Sequence, residues 1–374
     1  MDTQDKDSEL ASPEVMLPDM VPPPVDLLEV SNNATPTTLP GEVLATLIPT
    51  DLKPKKSPTP LQESLRRLRR DKRAMLSLSV IALFIVIPIF GPFIYQHIGG
   101  LYQSILNGQI GPGVYHNPFH QELDRQDEFI SAQYWLGTDA IGQDLLARLM
   151  QGMLVSLTVA ALVEVVDIGL GVLVGVLAGY FGGWIDQLLA RFTDLMFAFP
   201  GLLFAILIVG IFGEYADTYL SNIPLIGGNG NSRLILVAFA LAFSAWPIMA
   251  RYVRGQTLQL KEQQFVEAAR TVGTSNARII LRHIIPNLFS IVVVAATLDI
   301  SNTVIGEAGL SLLGLGVRLP GSSIGLMIAK ALPVIDTYPW ELLLPCIALT
   351  TIVLAFSFLG DGLRDAFDPR SKDS

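Results

Sequence analysis

Three acidic residues lie inside long apolar stretches of this sequence, where a charged group is unusual. Glu164 and Asp167 interrupt one apolar run three residues apart, a spacing that places both carboxylates on one face of a helix. Asp299 interrupts another run. Because an ionised carboxylate is costly inside a bilayer, such groups normally face a cavity or a partner, or become neutral. The three residues are therefore candidates for binding chemistry. The structural alternative is hydrogen bonding to a neighbouring helix or to a partner subunit.

Two histidines and a glutamate form a second set of candidate ligands. His116, His120 and Glu122 lie in a polar segment that contains Pro118. A metal site needs three or four ligands held in fixed geometry, so we expect a solvated loop here and no metal. Cys346 is the single cysteine of the chain, which leaves no partner for an internal disulfide or a cysteine metal cluster.

The sequence contains none of the common catalytic motifs. A P-loop requires a lysine directly after a glycine, and no lysine of this chain is so placed. There is no His-Glu-x-x-His motif and no Ser/His/Asp set at usable spacing. No catalytic residue, metal or bound cofactor is therefore predicted on this chain.

The composition predicts an all-α membrane protein. Of the 374 residues, 51% are hydrophobic and 16% are charged, and the mean hydropathy is +0.48. A helix that crosses a bilayer needs about 20 mostly apolar residues. Six runs approach that length, and we predict spans at residues 74–95, 153–180, 188–212, 234–252, 288–305 and 342–359. Pro200 is expected to kink the third span.

Charge and composition assign the remaining segments. Residues 1–60 are acidic and rich in proline, and they cannot bury enough apolar surface to fold, so they are predicted to be a disordered tail. Residues 61–73 are strongly basic and directly precede the first span, which by the positive-inside rule keeps them cytoplasmic. The same rule places both termini inside and residues 96–151 outside. The net charge of −9 lies largely in the tail and predicts no nucleic-acid partner.

The stretch Glu267–Asn287 is polar and basic and lies between two apolar runs. Its pattern predicts two short helices separated by Gly273, with Ser275 or Asn276 capping the second helix and Pro286 ending it. A helix pair of this kind is also typical of an anchor that lies on the membrane surface. The pattern alone leaves that alternative open.

The particular residues of the stretch resemble a known motif. Glu267-Ala268-Ala269, then Gly273, then Ile285-Pro286 are similar to the cytoplasmic signature loop of bacterial ATP-binding-cassette (ABC) importer permeases. The resemblance implies that residues 254–286 are a coupling loop that docks on an ATPase subunit. Small alanines permit close approach, the glycine permits a sharp reversal and the glutamate offers a carboxylate to the partner. His283 departs from the family, which more often has an apolar residue there.

Further segments resemble the dipeptide/oligopeptide/nickel subfamily, and within it the C-type permease subunit. These segments are LGTD at 136–139, AFP at 198–200, EAGLS at 307–311, LGLGV at 313–317 and GDGLRD at 360–365. Gln143 stands where the subfamily usually has arginine, and Ile324 where it usually has tryptophan. The resemblance covers about residues 66–370, which leaves only the N-terminal tail outside it.

The resemblance implies a type I ABC importer permease fold with its core at residues 152–370. It also implies a prokaryotic plasma (inner) membrane, a homologous permease partner, one or two ATPase subunits that bind ATP and Mg²⁺, and an extracytoplasmic solute-binding protein. Di- or oligopeptides are the expected substrates, with nickel chelates, glutathione-like compounds or other small solutes as alternatives. A membrane scaffold or passive channel is the competing class, although neither needs a coupling loop.

Two predictions concern the membrane interior. Glu164, Asp167 and Asp299 occupy positions that are generally apolar, small or Ser in the subfamily, and our hypothesis is that at least one lines the translocation path and favours cationic groups such as a peptide amine. The second prediction concerns three glycines that recur every fourth residue, Gly171, Gly175 and Gly179. They should form a smooth strip on one helix against which another helix packs closely.

Overall fold

The computed structural model describes residues 60–107, 116–221 and 228–368. Throughout these ranges the regular structure is helical, apart from one isolated antiparallel bridge between Thr138 and Asp144. The prediction of a disordered tail at residues 1–60 falls outside the described residues, except at Pro60.

The helices follow one another along the chain as α1 (Pro60–Leu68), α2 (Lys72–Asn107), α3 (Leu145–Phe181), α4 (Gly183–Phe197), α5 (Gly201–Tyr219), α6 (Leu234–Leu260), α7 (Gln264–Thr271), α8 (Asn276–Ile279), α9 (Ile285–Leu312), α10 (Ile324–Ala331) and α11 (Pro339–Phe367). Short 3₁₀ turns lie at Leu123–Arg125, Gly228–Arg233 and Leu332–Val334, and a π-helical turn lies at Ile280–Ile284.

Within the described residues, six helical segments are long and apolar enough to cross a membrane. They are Lys72–Ile98, Leu145–Phe181, Gly201–Tyr219, Asn231–Leu260, Asn276–Leu312 and Pro339–Phe367. The prediction of an all-α membrane protein with six transmembrane helices is confirmed. Most of these helices extend beyond the apolar runs in the sequence, because polar residues can continue a helix whose backbone groups pair internally.

The start of α3 shows how a polar residue sets a helix boundary. The predicted span starts at residue 153, whereas α3 begins at Leu145 directly after Asp144. Oδ1 of Asp144 accepts hydrogen bonds from the backbone N–H groups of Leu146 and Ala147 at 2.9 and 3.1 Å. An aspartate at this N-cap position satisfies donors that have no partner within the helix.

The third predicted span is wrong as a single helix. Instead of one kinked helix over residues 188–212, α4 ends at Phe197 and α5 begins at Gly201. Pro200 occupies the N-cap of α5 with an extended backbone, φ −60° and ψ 113°. Proline has no N–H and its ring clashes with the preceding turn, so the helix is interrupted here. The membrane-crossing segment is Gly201–Tyr219.

Pro286 does not end a helix, contrary to the prediction. It lies in the first turn of α9, and helical structure runs through it from Asn276 to Leu312. The segment Ile280–Ile284 just before it is a π-helical turn, which widens the helix locally. Local π-helical adjustment of this kind can re-satisfy the backbone groups that a proline leaves unpaired, so the helix continues.

The pair α3 and α6 forms the centre of the fold. A Cβ added at Gly175 would lie 2.6 Å from the carbonyl oxygen of Ala250, and one at Gly179 would lie 2.7 Å from Cβ of Thr257. The helix backbones therefore approach each other through the glycines. Lipid provides little hydrophobic drive for helices to associate, so close packing of this kind carries much of the attraction.

A shared apolar core and an ion pair hold the other helices in place around α3 and α6. Helices α2, α9 and α11 share a core that includes Ala74, Val294 and Ile352. At the end of α3 the chain reverses into α4, and Arg254 of α6 donates two hydrogen bonds to Asp186 of α4, at 2.5 and 2.8 Å. The guanidinium holds the pKa of the Asp186 carboxyl below its usual range, against the opposing effect of burial.

Candidate functional site

The polar stretch after α6 is held against the membrane helices by a few buried side chains. Val266, Ile279 and Ile284 are fully buried and pack with Tyr180 of α3. The Tyr180 hydroxyl donates a hydrogen bond to the Asn276 side-chain oxygen at 3.0 Å. These contacts fix α7 and α8 to the end of α3.

The opposite side of this stretch is open. Glu267, Ala268 and Gly273 are exposed and Ala269 is half-buried. Gly273 has φ +81°, a left-handed conformation that glycine adopts without steric cost, and nothing lies within 4 Å of a Cβ placed there. Val272 beside it is 84% exposed. An apolar tip on a fixed, tightly turned segment is suited to insertion into a partner surface.

The last two residues of the signature lie further along the same path. Ile285 and Pro286 begin α9 and are exposed, whereas Ile284 and Leu288 on the other face are buried. The signature thus runs from α7, which follows α6, to the first turn of α9. Ala269 is the signature residue that is partly covered by the protein itself.

The structure brings the three membrane acids together. Glu164 and Asp167 of α3 and Asp299 of α9 each contribute a carboxylate oxygen, and these oxygens lie within 4.8 Å of one another. Glu164 is 6% exposed and Asp167 is 1% exposed. The spacing of Glu164 and Asp167 indicated a shared face, but nothing in the sequence paired that face with Asp299.

Few hydrogen-bond donors and no basic side chains of the described residues offset the negative charge of these carboxylates. Both oxygens of Glu164, Oδ1 of Asp167 and Oδ2 of Asp299 are buried without a hydrogen-bond partner of acceptable geometry. Among the described residues, none of the three forms an ion pair with a basic side chain. Two ionised groups at the 4.8 Å limit would repel by about 3 kcal/mol at an effective dielectric constant of 20. Glu164 and Asp299 lie close enough to share a hydrogen bond when one of them is protonated, but no basic group in the described residues compensates the three carboxylates.

A cavity of about 440 Å³ reaches this cluster. Asp167 and Asp299 line it together with Asn302, Tyr252 and Arg364, and the other lining residues are mainly apolar side chains of α6 and α9. Tyr252 lies in the C-terminal part of α6, which leads into the signature segment. Arg364 lies in the last turn of α11. The cavity is large enough for a small solute group.

A buried polar network lies where α2 meets the start of α3. Oδ2 of Asp144 accepts hydrogen bonds from the Tyr95 hydroxyl at 2.8 Å and from Nδ1 of His116 at 2.9 Å. His116 is 3% exposed, so the expectation of a solvated loop is wrong for this residue. Glu122 accepts a hydrogen bond from the Tyr134 hydroxyl at 2.6 Å, and burial raises the pKa of Tyr134. The sequence had suggested none of these partners.

Glu307, within the EAGLS segment, organises a second buried network. Its carboxylate accepts hydrogen bonds from the hydroxyls of Ser156 at 2.7 Å and Ser311 at 2.6 Å. Ser311 in turn accepts from Ser323, whose oxygen also caps α10 by accepting from the Leu326 N–H. The network joins α3, α9 and α10, which gives the EAGLS segment a structural role in positioning these helices.

Comparison with protein families identifies two matching regions. Residues 171–373 match the family described as "Binding-protein-dependent transport system inner membrane component". Residues 59–104 match the "N-terminal TM domain of oligopeptide transport permease C". The two regions together take in α1, most of α2 and everything from the glycine strip of α3 onward.

Individual relatives align over nearly their whole length. The "Dipeptide transport system permease protein DppC" of Alkalihalophilus pseudofirmus is 33% identical over 314 residues, which cover 84% of this chain and 91% of that protein. The "Glutathione transport system permease protein GsiD" of Escherichia coli is 36% identical over 321 residues, which cover 86% of this chain and 94% of that protein.

Similarity to solved structures is more distant. An inward-facing structure of the MetNI methionine ABC transporter aligns with a TM-score of 0.45 and 18% identity, and the alignment covers 58% of this chain and 95% of that one. The family assignment rests on the sequence matches, which span more than half of the chain. The chain belongs to the binding-protein-dependent transport system inner membrane components, and within them it is a permease of the dipeptide/oligopeptide C type.

Proposed function

We propose that this chain is the C-type permease of an ATP-driven importer for short peptides, including glutathione-like compounds. The support is that one relative is described as a dipeptide permease and another as a glutathione permease, at 33% and 36% identity. Both substrates are small and peptide-bonded, with an amine and carboxylates. Nickel chelates and other small solutes remain the alternative within the same kind of importer. The passive channel or scaffold is the alternative of a different class.

In this proposal the segment 254–286 is the dock for an ATPase subunit that binds ATP and Mg²⁺. The observation that carries it is the contrast between the two sides of α7. Val266 is fully buried, while Glu267 and Ala268 face outward and Val272 projects at 84% exposure. A segment fixed on one side and exposed on the other can transmit movement of the partner to the membrane helices.

The proposed orientation places both termini in the cytoplasm, with a plasma (inner) membrane of a prokaryote as the location. Basic residues are concentrated on the segment that would dock, at Arg270, Arg278 and Arg282. A homologous permease would complete the pore, and an extracytoplasmic binding protein would deliver the solute. The bilayer would cover the apolar outer faces of the six spans.

The experiment that tests this proposal is recovery of the complex from its host in mild detergent. We expect one or two P-loop ATPases and a second six-span permease to co-purify with the chain, and the ATPases to be lost from the Gly273→Trp variant. Tryptophan at φ +81° is strained and covers the surface through which the partner must approach.

Gly314→Trp is the matched control for this experiment. Gly314 also has a left-handed backbone, φ +75°, and open space around its Cβ position, but it follows the other end of α9. It should recover ATPases as well as the unaltered chain does. Recovery of the unaltered chain without any ATPase at every detergent strength would instead favour the channel or scaffold.

We further propose that the 440 Å³ cavity is the inner part of the translocation path. Asp167 and Asp299 would then give it a preference for solutes with a positive group. We expect Asp299→Asn to reduce uptake of a lysine-containing dipeptide severalfold more than uptake of a neutral one, with uptake measured in cells that lack their own permease. Unchanged uptake of both peptides in Asp167→Asn and Asp299→Asn would remove these residues from the path.

A further inference from the structure

The carboxylates of Glu164, Asp167 and Asp299 have the spacing of ligands around a single ion. Their nearest oxygens all lie within 4.8 Å of one another. Oxygens that bind one Ca²⁺ ion at about 2.3–2.6 Å can be at most about twice that distance apart. A single ion between α3 and α9 can therefore contact all three residues without movement of either helix.

The second observation is that Glu164 and Asp167 have no partner outside the cluster. Both are more than nine-tenths buried, yet both oxygens of Glu164 and one of Asp167 accept no hydrogen bond from any group other than the three acids. Buried polar atoms in folded proteins are nearly always paired, so carboxylates with no donor or cation beyond the cluster itself indicate a positive group that is bound there.

The third observation is a cavity beside the cluster. Asp167 and Asp299 line the 440 Å³ cavity, and the Asn302 side chain lies at its wall beside Asp299. Arg364 is the basic residue among the lining side chains, and it forms no ion pair with the three carboxylates within the described part of the chain. The cavity thus borders the cluster on the side of Asp167 and Asp299.

We propose that Glu164, Asp167 and Asp299 form a binding site for one hard divalent cation of the Ca²⁺ type. The ligands are carboxylate oxygens, and neither histidine nor cysteine is part of the cluster. Oxygen-only sites select hard cations over zinc and copper. Ca²⁺ accepts six to eight oxygens in a flexible arrangement, so the Asn302 carbonyl and water from the cavity can complete its coordination.

Such an ion would offset two of the three negative charges of the ionised cluster and tie α3 to α9. Glu164 and Asp167 lie on α3 one turn before the glycine strip that packs on α6, and Asp299 lies midway along α9. Bound metal would therefore hold together two helices on either side of the cavity. This inference does not depend on transport, because binding can be measured on the chain without an ATPase.

The test is a calorimetric titration of the full chain, purified in detergent and freed of metal by a chelator, with Ca²⁺ alone. We expect one Ca²⁺ per chain, binding at least tenfold weaker in Asp167→Asn and in Asp299→Asn, and no binding in the triple variant Glu164→Gln/Asp167→Asn/Asp299→Asn. Asp336→Asn is the control, because Asp336 is exposed and lies outside the cluster. Its affinity should equal that of the unaltered chain.

A thermal unfolding measurement guards against misfolded variants. The amide variants remove mutual repulsion, so in chelator they should unfold at or above the temperature of the unaltered chain. Ca²⁺ should raise the unfolding temperature of the unaltered chain and of Asp336→Asn equally, that of the single variants less, and that of the triple variant not at all, because a ligand stabilises the state that binds it. Absence of Ca²⁺ binding to the unaltered chain, or equal binding to the triple variant, would overturn the inference. So would stabilisation by ethylammonium but not by Ca²⁺, which would identify a solute amine as the occupant.

Discussion

Replacement of Asp144 by alanine is expected to destabilise the chain by about 3–7 kcal/mol, from the loss of one cap and two buried hydrogen bonds. One oxygen of this fully buried carboxylate caps α3 at the N–H groups of Leu146 and Ala147. Loss of such a cap costs about 1 kcal/mol. The other oxygen accepts from Tyr95 and His116, and each buried donor left unpaired adds about 1–3 kcal/mol.

The measurement is equilibrium unfolding of the purified chain in detergent, followed by circular dichroism. Asp144→Asn is the informative comparison, because the amide oxygen can still cap the helix and the side chain can still pair with the tyrosine hydroxyl. We expect it to cost well under half as much. Asp124→Ala, at an exposed position in the same segment between α2 and α3, should be nearly neutral. Equal losses for alanine and asparagine at 144 would contradict the role assigned to these contacts.

Gly175→Leu is expected to prevent α3 and α6 from packing and to cost at least about 3 kcal/mol. The first carbon of the new side chain would already lie 2.6 Å from the Ala250 carbonyl oxygen and 2.7 Å from Cβ of Val253. Those atoms belong to the backbone and the stiff base of a β-branched side chain, so they cannot move aside as a flexible side chain would. Overpacking of a well-packed interface typically costs 1–3 kcal/mol and more where backbone must shift.

Gly169→Leu is the matched control on the same helix. Nothing lies within 4 Å of a Cβ at Gly169, which is exposed, so the same substitution should be tolerated there. Both variants would be assessed by the yield of monodisperse protein in size-exclusion chromatography and by thermal unfolding. A Gly175→Leu chain as stable as Gly169→Leu would show that the α3–α6 contact does not depend on the glycine strip.

The two corrections to the predicted helices have a common origin in proline. A proline in the sequence shows that one backbone N–H is missing, but it does not show where the helices on either side of it begin or end. At Pro200 the chain forms two separate helices, whereas at Pro286 helical structure continues through the residue. Helices of this protein also run through Pro88, Pro92, Pro247 and Pro345, so a proline alone does not decide whether a helix ends. A π-helical turn precedes Pro286, and such local adjustments re-satisfy the backbone groups that a proline leaves unpaired.

The amino-acid sequence by itself determined the class of this protein, the number of its spans and its family. Those properties depend on local composition and on short motifs, such as the EAA–Gly signature from Glu267 to Gly273, that can be read without knowledge of the fold. The clustering of basic residues between the apolar runs can likewise be seen directly in the sequence. Long apolar runs leave a chain little alternative to membrane-spanning helices, because the backbone must pair within the segment.

Only the tertiary structure decided which distant residues meet. Asp299 joins Glu164 and Asp167 because α9 packs beside α3, and His116 reaches Asp144 because the segment between α2 and α3 folds back on the start of α3. A sequence states the spacing of residues along one helix, but the register and rotation between two helices follow from the packing of all their side chains. The candidate ion site and the buried capping network are both products of that packing.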